Sequence, residues 1–294
     1  MARMPTIAAR AEQLLGRPVA ATTPVPGGDI CTSTRVRLSD GGSALVKTRP
    51  HPPRGFFAAE ARGLAWLAEA AGAPVPKVLA ADDDCLVLAW VETALPTAEV
   101  AEGFGRALAG THAAGASGFG AEKDGYIGLL PLPNGSATSW AEFYAARRIE
   151  PYLRTAADRG AIGPVDAGVV SDVLARLDRL AGPEEPPARL HGDLWSGNLL
   201  WGADDKVHLV DPAAHGGHRE TDLALLALFG SPHLGRILAA YDEAAPLSEG
   251  WQHRVALHQL HPLLVHAAAF GGSYGSRAGA AARAAIGPAQ PPPT

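Results

Sequence analysis

Between Leu190 and Trp201 the chain reads LHGDLWSGNLLW. His191, Asp193, Ser196 and Asn198, together with Gly192 and Gly197, sit between two apolar edges. Regular structure disfavours these residue types, and tight loops accept them. Beyond the loop, Leu199–Trp201 and Val207–Val210 flank the turn Gly202–Lys206 and read as a hairpin that ends in Asp211. A hairpin brings its ends together, so Asn198 and Asp211 should sit side by side at its open end, with Asp193 close by. Two carboxylates and an amide oxygen converging on one space are suited to Mg²⁺. A plain hairpin with polar ends would account for a lone Asp–Asn pair equally well, so the weight falls on the spacing.

His191-x-Asp193-x-x-x-x-Asn198, then a hairpin, then a further Asp, matches the catalytic-loop pattern of kinases. In that chemistry Asp193 accepts the proton of an attacking hydroxyl. Asn198 and Asp211 hold the metal that neutralises phosphate charge. His191 orients the loop by hydrogen bonding and transfers no proton. The remaining parts occur earlier in the chain. Lysine stands only at 47, 77, 123 and 206, and Lys47 lies in the strand-like ALVKTRP. Glu60 lies on the following helix, FFAAEARGLAWL, as a partner for a lysine that contacts the α- and β-phosphates of ATP. Alone, Lys47 would be a solvated edge residue and Glu60 a solvated helix face; their order and setting favour the pair. Gly27 and Gly28, in PGGDICTST, could drape backbone N–H groups over phosphates. Ala89 and Val91, in LVLAWVE, are positioned to offer backbone groups to adenine. ATP and Mg²⁺ are therefore the expected cofactors.

The elements that must hold these residues divide the chain. The pattern predicts a helix over Met4–Leu15, strands at Thr34–Leu38 and Ala44–Thr48 around Ser39–Gly42, and a helix over Phe56–Ala71. Strands at Val78–Ala80 and Cys85–Val91 flank the turn Asp82–Asp84. After Glu92 the periodicity turns helical, at Thr97–Ala113, Trp140–Leu153, Val165–Leu180, Thr221–Phe229 and Trp251–Ala269. The expected class is α+β in two lobes, residues 1–92 for nucleotide and 93–294 for catalysis and substrate, joined near Ala89–Thr93, with a loose tail from Gly287. With 294 residues, 47% of them hydrophobic, the chain can bury a sizeable core. A net charge of −5 argues against a nucleic-acid partner. Cys31 and Cys85 are too few for a disulfide framework and suit a reducing, cytoplasmic setting. No run approaches the ~20 apolar residues of a membrane span, and the N-terminus lacks a signal peptide's apolar core. His215-Gly-Gly-His218 invites a zinc reading, but two histidines without a third ligand are weak support; His215 fits better as part of a loop beside the substrate cleft. Trp195, Tyr144, Trp251 and Tyr274 are candidates for lining a sugar pocket, with core packing as the alternative for each.

HGDLWSGN with Trp195, WAEFYAARRIEPYL at 140–153, GHRETDLALLALFG at 217–230 and FGGSYGSRA at 270–278 together resemble the fructosamine kinase (ketosamine-3-kinase) family, a relative of aminoglycoside and choline kinases. The resemblance runs from about Gly27 to Ala278. It implies a protein-kinase-like fold, with a small antiparallel-sheet first lobe and a larger helical second lobe. It also implies ATP-dependent phosphorylation of a sugar hydroxyl on a ketosamine, small or protein-bound, as a deglycation step. By position it makes Asp193 the base, Asn198 and Asp211 the metal ligands, Lys47 with Glu60 the phosphate-holding pair, and Asp222 a brace for the catalytic loop. The chain departs from the wider pattern in places. Asp211-Pro-Ala replaces Asp-Phe-Gly, and Gly192 stands where protein kinases carry Arg, which argues against a phosphate-switched activation loop. Cys31 lies two residues beyond the position matching a redox cysteine, Asp29, so thiol control is not expected. Asp124-Gly-Tyr-Ile-Gly128 and Leu130–Asn134 differ slightly from the family versions. Two other functions stay open: a kinase of the same fold acting on an aminoglycoside or choline-like substrate, and a nucleotide-binding regulator without catalysis. The second predicts a degraded site, whereas Lys47, Glu60, Asp193, Asn198 and Asp211 are all present.

Overall fold

The computed structural model describes residues 6–28 and 30–287. Asp29, the start of the expected first helix at Met4 and the tail from residue 288 lie outside them. The chain opens with α1 (Ile7–Leu15), β1 (Val19–Val25), β2 (Thr32–Leu38), β3 (Ser43–Thr48), α2 (Phe56–Ala68), β4 (Val78–Ala81) and β5 (Cys85–Ala89). The strands form one antiparallel sheet in the order β1-β2-β3-β5-β4. β3 is central, and alternation along it assigns its side chains to opposite faces. Ala44 and Val46 pack with Val36, Cys85, Val87 and Ala11 under α1. The other face meets α2, where Leu86 and Leu88 pack on Phe56, Phe57 and Leu64. Lys47 belongs to that second face, which is why it meets a residue of α2.

The expected strand Cys85–Val91 stops at Ala89. Beyond it the chain turns away from the sheet and is sewn to a later hairpin. Ala203 N–H donates to Glu92 O at 2.8 Å, Ala94 N–H donates to Trp201 O at 2.8 Å, and Thr93 bridges Gly202.

Helices dominate from here. They and short strands run α3 (Ala98–Ala113), β6 (Gly125–Ile127), β7 (Leu130–Leu132), α4 (Trp140–Phe143), a π-helical turn (Tyr144–Ile149), α5 (Glu150–Asp158), α6 (Pro164–Leu174) and α7 (Leu177–Leu180). Then come β8 (Ala188–Leu190), β9 (Leu199–Trp201), β10 (Val207–Leu209), β11 (His215–Gly217), α8 (Glu220–Phe229), α9 (Leu234–Ala244), α10 (Trp251–His258), α11 (Leu260–Phe270) and α12 (Tyr274–Ile286). Two apolar clusters hold this part together. One gathers α3, β9, β10, α8 and α9 around Phe104, Leu108, Leu209, Leu226 and Tyr241. The other gathers α5, α6, α11 and α12 around Ile149, Val170, Leu264 and Ala282.

Three expected helices are broken. The segment expected over 140–153 passes through the π-helical turn just before Pro151, whose ring nitrogen cannot supply an i→i−4 bond. The segment over 165–180 is interrupted between Leu174 and Leu177, and the one over 251–269 between His258 and Leu260. The hairpin β6–β7 reaches back to the sheet. Tyr126 Oη donates to Arg54 O at 3.0 Å, and its ring lies 5.5 Å from that of Phe56 at the start of α2. Among the described residues no helix is long and apolar enough to cross a membrane.

Candidate active site

The loop after β8 carries His191, Gly192 and Asp193, and its shape is fixed from behind. Asp222, in the first turn of α8, is fully buried. Its Oδ2 accepts His191 N–H at 2.7 Å and its Oδ1 accepts Gly192 N–H at 2.9 Å. The carboxylate also meets His112 Nε2 at 3.2 Å, and His112 Nδ1 meets Tyr241 Oη at 2.8 Å. Burial opposes the Asp222 charge, but the His112 bond and the two backbone donors hold its carboxyl below the usual range. Sequence reasoning did not find His112 or Tyr241, since they lie 110 and 19 residues from Asp222 with no local spacing signal. Gly192 has φ +83, and a Cβ there would lie 2.2 Å from Ala213 O, so the loop requires glycine at that point.

His191 is buried. Its Nε2 lies 2.8 Å from Val210 O and its Nδ1 accepts Asp193 N–H at 3.2 Å. Burial lowers its pKa, so the ring is neutral, with both nitrogens occupied. Its two bonds tie the ring to the loop and to the hairpin end.

Asp193 is half-buried, and Asn198 Nδ2 donates to its backbone oxygen at 2.8 Å and its Oδ2 at 3.2 Å. Asn198 therefore turns its amide nitrogen to Asp193 and keeps Oδ1 for another partner. At the far end of the hairpin Val210 N–H donates to Asn198 O at 3.1 Å, which brings Asp211 next to the loop. Asp211 has φ +55, a left-handed conformation rare outside glycine. Its side chain is 48% exposed and bonds Lys47 Nζ at 2.5 Å. Lys47 Nζ also bonds Glu60 Oε1 at 2.6 Å, with Lys47 buried and Glu60 nearly so. Burial works against the Lys47 charge, but the Glu60 and Asp211 carboxylates outweigh it and raise its pKa. The Glu60 carboxyl is pushed up by burial, with Lys47 pulling it back. Burial and then the nearby Asp211 charge push Asp193 up to about 7.

The cluster holds three carboxylates, at Glu60, Asp193 and Asp211, against one ammonium. That excess, with the half-exposed Asp211 oxygens and the spare Asn198 Oδ1, is a donor set of the hard-oxygen type that Mg²⁺ takes. A carboxyl at about 7 would have a measurable consequence were it the base that takes the hydroxyl proton. Below that value Asp193 is protonated and cannot accept a proton. kcat/KM should therefore rise about tenfold per pH unit on the acid side and level off near or below pH 7. A profile flat between about pH 5 and 9 would remove Asp193 from that role.

The other expected residues divide. Gly27 and Gly28, with φ +99 and +86, lie in the loop between β1 and β2, on backbone that glycine adopts freely. Ala89 ends β5, and its N–H is taken by Lys77 O at 2.8 Å, so of its backbone groups only the carbonyl can serve a ligand. Val91 lies on the turn beyond the strand. Trp195 is 37% exposed, and its ring packs edge-on to Phe229 at 6.1 Å. Tyr274 lies farther along the same aromatic cluster, 4.9 Å from His266, which is itself 5.0 Å from Phe229.

His215 is a correction. Instead of lining a cleft it is buried in β11, with Nδ1 at 2.8 Å from Ala213 O and Nε2 facing Arg148 Nε at 3.4 Å. Tyr144 is core, stacked on Trp140 at 4.6 Å. His215 and His218 do not share a site. His218 instead faces Glu220 and His258, and Arg254 already binds both Glu220 oxygens at 2.9 and 2.6 Å. Burial pushes the Cys31 thiol up to about 11, which keeps it protonated at neutral pH.

Residues 3–286 match the family model described as fructosamine kinase. A probable ketoamine kinase of Thermus thermophilus is 37% identical over 253 residues, 85% of this chain and 88% of that protein. A crystal structure from Thermobifida fusca, of a protein assigned as a fructosamine-3-kinase, superposes with a TM-score of 0.92 at 53% identity, covering 96% of this chain and 98% of that one. A macrolide 2′-phosphotransferase of Brachybacterium faecium superposes with a TM-score of 0.59 at 19% identity, covering 97% and 98% of the two chains, and shares the two-lobed kinase-like fold.

Proposed function

This chain belongs to the fructosamine kinase family, and on that premise we propose that it transfers the γ-phosphoryl group of ATP to a sugar hydroxyl of a ketosamine. The class of reaction, phosphoryl transfer to a sugar hydroxyl, follows from the family itself. The sugar, the amine it is attached to and the need for Mg²⁺ are our reading. So are the division of labour near residue 92 and the cytoplasmic setting.

The observation that carries the reading is the Lys47 ammonium held between Glu60 and Asp211, beside Asp193 and Asn198 on a loop braced by Asp222. In this account Gly27 and Gly28 direct backbone N–H groups at the phosphates, and Lys47 contacts the α- and β-phosphates. The Ala89 carbonyl and the Val91 amide hold adenine. Asn198 Oδ1 and Asp211 would hold Mg²⁺, which supplies charge neutralisation at the phosphates when bound. Asp193 accepts the hydroxyl proton as the sugar oxygen attacks. Trp195, exposed two residues along, offers an aromatic face to the sugar.

The test is product analysis by ³¹P NMR with fructosamine, ribulosamine and an aminoglycoside offered side by side. Phosphorylated ketosamine is the expected product. Turnover of the aminoglycoside alone would overturn the ketosamine assignment while leaving the phosphotransferase in place.

A further inference from the structure

Two adjoining cavities lie against α2, and neither is lined by Lys47, Glu60, Asp193, Asn198 or Asp211. The first encloses about 330 Å³ and the second, more open to solvent, about 350 Å³. The α2 wall of the first is one helical stripe: Ala59, Arg62, Gly63 and Trp66. Opposite it are Pro212–Ala214, the residues directly after Asp211. Gly63 is where the two walls approach, since a Cβ there would lie 3.2 Å from Pro212 Cγ and 3.3 Å from Ala214 Cβ. The other face of α2 packs on the sheet through Phe57 and Leu64.

The charges around the junction of the cavities are unusual for a chain of net charge −5. Arg62 and Lys123 line both cavities and Arg54 lines the second, and among the described residues none of the three forms an ion pair. Arg62 makes only a 3.4 Å bond to Asp124 O. Asp124 and Glu122 are the acids nearby, and the Asp124 carboxylate is turned to the Asn134 N–H at 2.7 Å. α2 begins beside Arg54 at Gly55, with no side-chain cap, so its positive end faces the second cavity. Three cations outside any ion pair, outnumbering the two acids that share the lining, with an uncapped helix start and an apolar floor rimmed by Trp66 and Tyr126, suit a ligand with one anionic end and a compact body.

We propose that these cavities form a second ligand site for a sugar phosphomonoester, with the phosphate held by Arg54, Arg62 and Lys123 and the sugar seated in the first cavity against Ala59, Trp66 and Ala121. A ligand there braces α2 against the loop after Asp211. It thereby steadies Glu60 and Asp211, one residue from Ala59 and Pro212 respectively, and should lower the KM for ATP. That effect rests on the kinase function above; binding at the site does not.

The test is calorimetry with inorganic phosphate and with glucose 6-phosphate as probes. A non-hydrolysable Mg-ATP analogue saturates the nucleotide cleft throughout. Saturable binding of the phosphomonoester is expected, at least ~10-fold tighter than inorganic phosphate. The Arg62→Glu/Lys123→Glu variant should weaken it by about 10²-fold. Both side chains are exposed, so this variant should keep its fold, as a melting curve checks. Ala121→Trp, which fills the first cavity, should block the sugar phosphate and spare inorganic phosphate. Binding untouched by the charge reversal overturns the site. Equal affinity for the two probes overturns the sugar assignment. Binding that survives in a chain inactive on ketosamines sustains the site and counts only against the function proposed above.

Discussion

Asp193→Asn should lower kcat by about 10²–10⁴-fold while leaving the KM for ATP close to that of the parent. The substitution is isosteric. Asn at 193 still offers an oxygen to Asn198 Nδ2, so the 3.2 Å contact survives, as do the backbone bonds from His191 and Gly192 to Asp222. What disappears is the ability to take a proton. The variant's residual rate should also lose the part of the acid-side rise that Asp193 produces, leaving only what the raised Glu60 carboxyl contributes. Phosphate transfer within two- to three-fold of the parent would mean that the hydroxyl needs no base here, and that Asp193 matters only for the architecture of the loop.

Lys47→Met should lower kcat/KM for ATP by about 10²–10³-fold, the usual cost of removing one fixed charge donor from a phosphoryl-transfer site. The KM for the ketosamine should move little. Methionine fills the buried volume but leaves Glu60 without a cation. Burial already pushes that carboxyl upward, so it should pick up a proton instead of remaining as an unpaired charge. Asp211, nearly half exposed, can be solvated. Overall stability should therefore fall less than the loss of a buried ion pair suggests, and a melting curve together with steady-state kinetics separates the two effects. Glu60→Gln should be milder, since Lys47 keeps its bond to Asp211. A Lys47→Met chain with unchanged nucleotide kinetics would refute the role of the pair.

The approach of the loop at 191–198 to Asp211 was legible in the sequence because its information is local. Asp193 and Asn198 are five residues apart, and the hairpin that returns Asp211 announces itself by a turn between two short, largely apolar segments. Lys47 and Glu60 were legible because a buried strand or helix face excludes an unpaired charge, so a lone lysine in an apolar strand calls for a carboxylate close by. What escaped depends on distant pairing. β1 reads VAATTPV, and its side chains are mostly exposed, so no alternation marks it as the edge of a sheet. β8 and β11 are three residues each and acquire strand character only by meeting one another. That pairing is also what buries His215, which by sequence alone sat in a plausible cleft-side loop. α12 carries glycines that look helix-breaking. Gly275 and Gly279 are there because a Cβ would come within 2.0 Å of Ala161 O and 2.1 Å of Asp166 Oδ1. The brace from Tyr241 through His112 to Asp222 joins three elements, and no spacing rule anticipates it.

The crossing from the sheet to the helices has a consequence of its own. Glu92 and Ala94 are tied through their main chain to Ala203 and Trp201, and Trp201 ends the strand that begins directly after Asn198. Any tilt of one half of the molecule over the other would therefore pull on Asn198 through peptide groups alone. On the proposed assignment, movement at the adenine end and alignment at the reacting end would be a single mechanical event. Because the linkage runs through peptide groups, side-chain substitutions at 93 and 94 other than proline should leave it in place.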